Sequence, residues 1–292
     1  MVLNHKIIEG MQLHMQISLI IGTLNRVDYL AHCLESLNKQ IYKNFETIII
    51  DQSSNDETEK LIDGLGYDWI KYKQVDYKGL SKARNDAIRM ASGDVFCLID
   101  DDAYYEEDYL LKIVEHIKNN SKLIISGFLI DGVTKRDFVD YSKVPEGKPL
   151  SYWRITRYCP SPAISFTREL IESVGVFDEE FGVGAKYGAA EETDLLLRAK
   201  KKGFSVIHYK DVRAQHPHKW VVNMGDNKAK SYGYSYGIGA MYKKNTCGNL
   251  CSKIGFVYLE RVARDIVKGL INKEDWELYK NLTHGFKDYQ LH

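Results

Sequence analysis

Apolar positions in the first hundred residues follow two alternating patterns, which predict strands and helices in turn. Residues 17–22 form an apolar run typical of a buried strand, and residues 29–37 carry apolar side chains at the spacing of one helix face. The succession repeats with a strand at 47–51, a helix that begins near 55–57 and an alternating strand at 69–74. We therefore expect strand and helix to alternate through this part of the chain.

A third helix and a fourth strand continue the alternation. We expect the helix to be capped by Ser81 and to end near Gly93, and the apolar strand at 95–99 runs directly into aspartates. Strands that alternate with helices form right-handed βαβ units and a mainly parallel sheet, whose strands carry ligand sites at their carboxyl ends. Asp51 and Asp100 both follow predicted strands, so we expect them in one crevice.

The regular alternation lapses after Gly127. Residues 131–160 are expected to form a long irregular connection, which in a compact domain usually has a function. Order then returns in four elements. They are a strand at 163–166, a helix at 168–174, a helix at 191–202 with acidic residues in its first turn, and a strand at 204–209.

The carboxyl-terminal part of the chain has one segment with broadly helical apolar spacing, residues 254–270. A helix packed on the main domain is the first interpretation of this segment. A helix at a membrane surface is the alternative, because basic residues could flank the apolar face. These residues are Lys253, Arg261, Arg264 and Lys268.

Composition restricts the classes of partner and location. The 40 basic and 40 acidic residues cancel, so no global charge attracts nucleic acid, and no nucleic-acid partner is expected. Because no apolar run reaches the roughly 20 residues of a membrane span and the amino terminus does not resemble a signal peptide, we expect a cytoplasmic protein. The five cysteines are expected to be free thiols.

The triplet Asp100-Asp101-Asp102 is the first candidate for chemistry. Three consecutive carboxylates at a strand end repel one another, and a bound cation is a natural way to neutralise them. A solvated acidic loop is the alternative interpretation, but the position at the mouth of a parallel sheet favours a metal site.

Several motifs in order resemble family 2 glycosyltransferases with the GT-A fold. They are Ile17 to Arg26, Ile48 to Asp56 (Ile-Ile-Ile-Asp-Gln-Ser-Ser-Asn-Asp), Lys82-Ala83-Arg84-Asn85, Asp100-Asp101-Asp102, Gly175-Val176-Phe177-Asp178, Ala190 to Leu195, and His216. The resemblance covers roughly residues 16 to 220. It implies an α/β protein of the GT-A type, in which helices flank a mainly parallel Rossmann-like sheet and a helical appendage follows at the carboxyl terminus.

The resemblance also implies a division of the chain. Residues 1–15 would be an extension, 16–218 the glycosyltransferase domain and 219–292 the helical carboxyl-terminal region. Within the domain, residues 16–127 would bind the donor and residues 128–218 the acceptor.

Donor-site roles follow from the motifs that match. Thr23 would line the nucleotide pocket, Asp51 would accept a hydrogen bond from the base, most plausibly uracil, and Arg84 would lie near the nucleotide or diphosphate. Asp100 would lie near the ribose.

The resemblance also implies which residues bind the metal. Asp102 would bind Mn²⁺ or Mg²⁺, with His216 as a further ligand and His218 as its competitor. Such ions take few protein ligands and complete their shell with phosphate oxygens.

Acceptor-site roles fall at the start of the predicted helix at 191–202. The resemblance places the general base at Glu192, with Glu191 as the competing candidate, and Asp194 could hold the acceptor or the helix. Glu191 and Trp153 are further acceptor candidates, the latter because a sugar ring can stack on an aromatic face. Capping of the helix by its acidic residues is the structural alternative.

The function implied is inverting transfer of a sugar from a nucleotide-diphosphate donor, a UDP-sugar by preference, to a hydroxyl of a glycan or lipid-linked acceptor. Family members of this size build bacterial surface polysaccharides on lipid carriers, so peripheral contact with the inner face of the cell membrane through the carboxyl-terminal region is a further hypothesis. A sugar nucleotidyltransferase is the second candidate, although Gly22 to Arg26 is a poor match to its phosphate loop. A non-catalytic carbohydrate-binding module is the third.

Overall fold

The structure, a computed structural model, describes residues 15–132, 134–216 and 227–291. Its strands are β1 (Ile17–Thr23), β2 (Phe45–Asp51), β3 (Ile70–Gln74), β4 (Val95–Leu98), β5 (Tyr104–Tyr105), β6 (Leu123–Asp131), β7 (Ile164–Thr167) and β8 (Ser205–His216). Its α-helices are α1 (Val27–Asn38), α2 (Glu57–Leu65), α3 (Leu80–Met90), α4 (Tyr109–Ile117), α5 (Tyr152–Tyr158), α6 (Arg168–Val174), α7 (Glu191–Lys201), α8 (Asn227–Thr246), α9 (Lys253–Gly269) and α10 (Lys273–Asp288).

The strands form one sheet in the order β3-β2-β1-β4-β7-β6-β8-β5. Strands β1 to β4 are parallel to one another, and β6 is parallel to β8. Strand β7 is antiparallel to β4 and β6, and β5 is antiparallel to β8. The expected mainly parallel α/β sheet is confirmed, with two antiparallel strands that apolar periodicity could not orient.

Two hydrophobic clusters cover the two faces of the sheet. Side chains of β1 alternate between them: Ile17, Leu19 and Ile21 belong to one cluster with α1 and α4, whereas Ile20 belongs to the other with α3, α7 and α8. Burial on both faces explains why these strands are apolar runs and not alternating segments. The parallel register pairs Thr23 with Asp51, so the carboxyl ends of β1 and β2 lie side by side.

The start of α3 differs from the sequence-based expectation. The helix begins at Leu80, after Gly79 at φ 132°, so Ser81 lies inside its first turn. The Ser81 hydroxyl donates to the carbonyl oxygen of Phe181 at 2.6 Å. Ser81 is therefore not the cap, and it ties α3 to the loop that precedes α7.

The region between Gly127 and Pro160 is more ordered than expected. Strand β6 continues to Asp131, and the boundary drawn between residues 127 and 128 falls at a register shift within this strand. Helix α5 begins after Ser151, whose hydroxyl oxygen accepts a hydrogen bond from the amide of Arg154. The long connection is thus a β-strand extension, a 3-10 turn and a short helix.

The carboxyl-terminal residues form three packed helices, α8 to α10. The predicted helix at 254–270 corresponds to α9, whose N-cap is Ser252. Helices α8 and α10 touch through glycine backbone: a Cβ atom on Gly239 would lie 1.9 Å from the carbonyl oxygen of Leu282. Among the described residues, no helix is both long enough and apolar enough to cross a bilayer.

The close contact between α8 and α10 generates the first prediction. Gly239→Ala should destabilise the protein by about 1–3 kcal/mol or more, because its methyl group overlaps the backbone of α10. Gly233→Ala in the same helix is the matched control, since its Cβ meets nothing within 4 Å; it should be neutral or stabilise by up to about 1 kcal/mol. Urea unfolding of both variants measures the difference, and equal midpoints would contradict the packing.

Candidate active site

The nucleotide side of the site lies where β2 ends. Asp51 is fully buried; one carboxylate oxygen accepts from the amide of Ser53 at 2.8 Å and the other from the hydroxyl of Tyr72 at 3.2 Å. An open cavity of about 650 Å³ adjoins this residue. It is lined by Gln52, Ser53, Ser54, Lys73, Gln74, Val75, Asp76, Tyr77 and Lys78.

Asp101, the middle residue of the triplet, has a defined structural position. Its carboxylate accepts from the Thr23 hydroxyl at 2.8 Å and from Arg26 at 2.7 Å. Burial raises the pKa of Asp101 to about 6, although Arg26 and Thr23 oppose the rise. Asp101 therefore joins the end of β4 to the loop after β1, and Thr23 contributes to this joint.

Asp102 is buried between two basic side chains. His216 Nε2 lies 2.9 Å from one carboxylate oxygen, and Arg26 pairs with the other. Burial alone would raise the pKa of Asp102, but hydrogen bonds and charge from His216 and Arg26 outweigh it and lower the pKa to about 2. The carboxylate is thus held ionised, the form that binds metal.

A metal-type cluster combines the two predicted ligands with Asp100, which was predicted to lie near the ribose. Asp100, Asp102 and His216 each offer one ligand atom, and these atoms lie within 4.8 Å of one another. Two carboxylates and an imidazole suit Mn²⁺, and they suit Mg²⁺ if phosphate and water complete the shell. The residues therefore fit the expected cation. The competing ligand His218 lies outside the described residues.

Arg84 joins the two sides of the site. Its guanidinium is 1% exposed and donates to Asp100 at 3.0 Å, to Glu191 at 3.0 Å and to the Ser161 hydroxyl at 2.6 Å. Asp100 follows β4 and Glu191 opens α7, so one side chain on α3 spans elements from both halves of the domain.

A second cavity, of about 290 Å³, lies on the far side of Arg84. Its wall includes Asp100 and His216 of the metal-type cluster together with Glu191 and Glu192. Helix α8 closes the cavity with Tyr234, Ile238 and Met241. Carboxylates from both halves of the domain therefore face one cavity.

The first turn of α7 distinguishes its two glutamates. Glu191 is buried and ion-paired with Arg84, whereas Glu192 is only half-buried and lines the cavity. Burial and the adjoining Glu191 raise the pKa of Glu192 above its usual value, and Arg84 opposes the rise. Such a carboxyl group is suited to take up a proton near neutral pH.

The backbone before α7 is held in an unusual conformation. Ala190, at φ 72°, occupies the left-handed region, which residues with a side chain rarely adopt. Gly182 at φ 97° approaches the same place, and a Cβ there would lie 3.2 Å from the carboxyl carbon of Glu191. The glycine-rich loop therefore allows the close approach that positions both glutamates.

Two predicted acceptor residues are placed away from this cavity. Asp194 has no exposed surface, and its carboxylate binds Arg198 at 2.8 Å, Lys244 at 2.9 Å and the Asn245 amide at 2.8 Å. It joins α7 to α8 behind the cavity wall. Trp153 on α5 faces α9, where its Nε1 donates to Glu260 at 3.2 Å.

Sequence reasoning missed three residues of the site: Arg26, Ser161 and Tyr234. Arg26 belonged to a quoted motif, and its charge next to an acidic triplet was a usable signal. Ser161 follows the segment expected to be irregular, and Tyr234 lies in a tail rich in tyrosine. Neither of these two had a pattern that could link it to distant carboxylates.

Known proteins are similar to this chain in sequence and in fold. Residues 18–172 match the family described as "Glycosyl transferase family 2". The chain is 26% identical over 273 residues to the dolichyl N-acetyl-alpha-D-glucosaminyl phosphate 3-beta-D-2,3-diacetamido-2,3-dideoxy-beta-D-glucuronosyltransferase of Methanococcus voltae, with 87% of this chain and 82% of that protein covered.

Solved structures show the same fold at lower identity. A crystal structure of S. aureus TarS 1-349 superposes with a TM-score of 0.67 and 20% identity, over 93% of this chain and 80% of that one. The mannosyltransferase PcManGT from Pyrobaculum calidifontis, in complex with GDP-Man and Mn²⁺, gives 0.62 and 16% identity over 92% and 85%. These similarities concern the fold alone, which is of the GT-A type. Because the family match covers more than half of the chain, this protein belongs to glycosyl transferase family 2.

Proposed function

We propose that this glycosyltransferase moves a sugar, with inversion, from a UDP-sugar to a hydroxyl of a lipid-linked glycan. One observation carries the proposal: Asp100 and His216 of the metal-type cluster line the same cavity as Glu192, a carboxyl group with a raised pKa. The cluster suits a diphosphate leaving group, and the carboxyl group suits an acceptor hydroxyl. Membership of the family favours transfer over nucleotidyl transfer or simple carbohydrate binding.

The donor would extend from the cavity beside β2 and β3 to the cluster. In this arrangement the end of β2, at Asp51, lies at the base, and Asp100 lies at the ribose, where one oxygen already accepts from Arg84. Asp102 and His216 would hold Mn²⁺ or Mg²⁺, which stabilises the negative charge of the departing diphosphate. We propose residues 16–127 as the donor half on this basis.

Proton transfer would be the task of Glu192. As the acceptor oxygen forms a bond to the anomeric carbon, Glu192 takes the hydroxyl proton, and the bond from that carbon to the diphosphate oxygen breaks. Attack from the side opposite the diphosphate inverts the anomeric centre. Glu191 keeps its pairing with Arg84 and positions the first turn of α7.

The acceptor would enter from the side of α8. Tyr234 and Ile238 of this helix line the cavity, so a sugar ring can lie against an aromatic and an apolar side chain there. The Methanococcus voltae relative is named for a dolichyl phosphate-linked acceptor. By analogy, we propose a polyprenyl-linked glycan, in surface glycan synthesis at the inner face of a cell membrane, with residues 128–218 as the acceptor half.

The metal and donor roles give the second prediction. A panel of nucleotide sugars should show hydrolysis or transfer that depends on Mn²⁺ or Mg²⁺ and is greatest with a UDP-sugar. Asp102→Asn should weaken binding of both the cation and UDP, because the variant loses an ionised ligand. Calorimetric titration measures both affinities. Asp108→Asn, an exposed carboxylate outside the cluster, is the control, and unchanged binding by Asp102→Asn would refute the metal role.

The base role gives the third prediction. Glu192→Gln should lower the rate of transfer by about 10²- to 10⁴-fold and leave the affinity for UDP unchanged, because only proton uptake is removed. Single-turnover transfer with a radiolabelled donor measures the rate.

Glu191→Gln is the matched comparison for this prediction. The neutral amide can still accept from Arg84, so we expect a smaller loss of rate than in Glu192→Gln. A larger loss in Glu191→Gln would assign the base to Glu191.

The raised pKa gives the fourth prediction. Transfer requires the ionised form of Glu192, so kcat/KM should fall as the pH drops through the raised pKa, with a midpoint above the value of about 4.3 that is usual for glutamate. The groups that act on this pKa are Glu191 and Arg84. The residual activity of Glu192→Gln should lack this acid limb. A wild-type acid limb at or below the usual pKa of glutamate, about 4.3, would contradict the assignment.

A further inference from the structure

Exposed apolar side chains are concentrated in one part of the described chain. Of eleven large apolar residues with substantial exposure, six lie between positions 256 and 276. They are Phe256 (63%), Leu259 (41%), Val267 (60%), Leu270 (77%), Ile271 (86%) and Trp276 (37%). Single exposed apolar residues are ordinary, but a contiguous group marks an interaction surface.

These residues form a continuous stripe along the outer face of α9. The inner face packs Ile254, Val257 and Tyr258 into the protein core. Positions 256, 259, 263 and 267 recur at intervals of three or four and are all exposed, so they share the opposite face. Helix α9 is therefore apolar on two faces, and only one of them is covered within the described chain.

The turn between α9 and α10 completes the stripe. Leu270 and Ile271, the two most exposed large apolar residues of the described chain, stand together at its tip. The backbone of Gly269 lies against Trp276, since a Cβ there would be 2.9 Å from the indole ring. An indole beside two protruding aliphatic side chains is typical of a membrane–water interface. We call the outer face of α9 and this turn, residues 256–276, the α9 surface.

A small excess of basic residues along the α9 surface and at the start of its helix favours an anionic partner. Five basic residues (Lys253, Arg261, Arg264, Lys268 and Lys273) stand against four acidic ones (Glu260, Asp265, Glu274 and Asp275). Lys253, Lys268 and Lys273 are exposed, and within the described chain they belong to no ion pair. In contrast, Arg261 and Arg264 both pair with Asp265. A second copy of the chain is a poor occupant, because a two-fold contact here would bring Lys268 and Lys273 of both copies together.

The α9 surface lies close to the reaction cavity. Glu260, at the edge of the stripe, binds Arg157 and Trp153 of α5. The same short helix contributes Thr156 to the cavity wall. Helix α5 therefore touches both the α9 surface and the cavity that Glu192 lines.

We propose that the α9 surface is a membrane-binding site that takes an anionic lipid bilayer. Leu270, Ile271 and Val267 enter the interface between headgroups and acyl chains, while Lys268 and Lys273 contact the headgroups. Helix α9 then lies in the plane of the interface. This inference rests on the proposed lipid-linked acceptor.

Flotation of the full-length protein with vesicles tests the proposal. Vesicles of phosphatidylcholine and phosphatidylglycerol in equal parts should carry the protein upward in a density gradient. Leu270→Ser/Ile271→Ser should lower the partition coefficient about tenfold or more, because two large apolar side chains are lost. Lys268→Gln/Lys273→Gln should lower it about tenfold on these vesicles and have little effect on pure phosphatidylcholine.

Matched controls exclude a general effect of exposed apolar residues. Ile41→Ser/Leu291→Ser removes two aliphatic residues that are 49% and 48% exposed but lie outside the α9 surface. This variant should float like the wild type. The proposal is overturned if the wild-type protein stays at the bottom, if both serine variants behave alike, or if light scattering shows a dimer that only Leu270→Ser/Ile271→Ser dissociates.

The two proposals can fail separately. Vesicle binding is measured without donor or acceptor, so it does not depend on transfer. Transfer to a water-soluble acceptor without vesicle binding would refute the α9 surface and leave the enzymatic proposal intact. Vesicle binding without any metal-dependent transfer would refute the enzymatic proposal and leave the α9 surface.

Discussion

A single buried guanidinium connects the parts of the site. Arg84 is almost fully withdrawn from water, and a charge in that position is tolerated only when it is paired and its hydrogens are accepted. Asp100, Glu191 and Ser161 meet that requirement, and they belong to three separate segments of the chain. Packing of α3 against the sheet therefore fixes the distance between the donor carboxylates and the start of α7. The carboxylates depend on Arg84 in turn, because without it Asp100 and Glu191 would face each other with no cation between them.

Carboxylates outnumber their neutralising partners at this edge of the sheet, and the fold distributes them unequally. Asp102 is kept ionised by Arg26 and His216, whereas burial raises the pKa of Asp101, which contacts Arg26 and Thr23. Three adjacent residues thus have different environments, although the sequence presents them as equivalent. Glu192 is a fourth case. The charged residue next to it in the chain is Glu191, whose carboxylate already pairs with Arg84. Such differences in environment would allow one carboxylate to bind a metal ion while another takes up a proton.

Much of the fold could be predicted because buried parallel strands are uniformly apolar and strand ends are marked by polar residues. The cluster that includes Asp100 and His216 could be anticipated from the order of the motifs in which its residues lie. The direction of each strand could not be predicted, because apolar periodicity is the same in parallel and antiparallel strands. The partner of an acidic residue could not either: Asp194 lies only two residues after Glu192, and helix rotation directs it to a different face, toward Lys244. Tyr234 depended on the tertiary placement of α8, which local sequence does not specify.

Helix α8 lies beyond the segment that matches the family, and yet it closes the reaction cavity. It reaches this position through contacts with α7 and through bare glycine backbone against α10. The pocket beside β2 and β3 receives none of its lining side chains from this helix. Substitutions along one face of α8 can therefore change the shape of this cavity without changing the side chains that line the pocket beside β2 and β3.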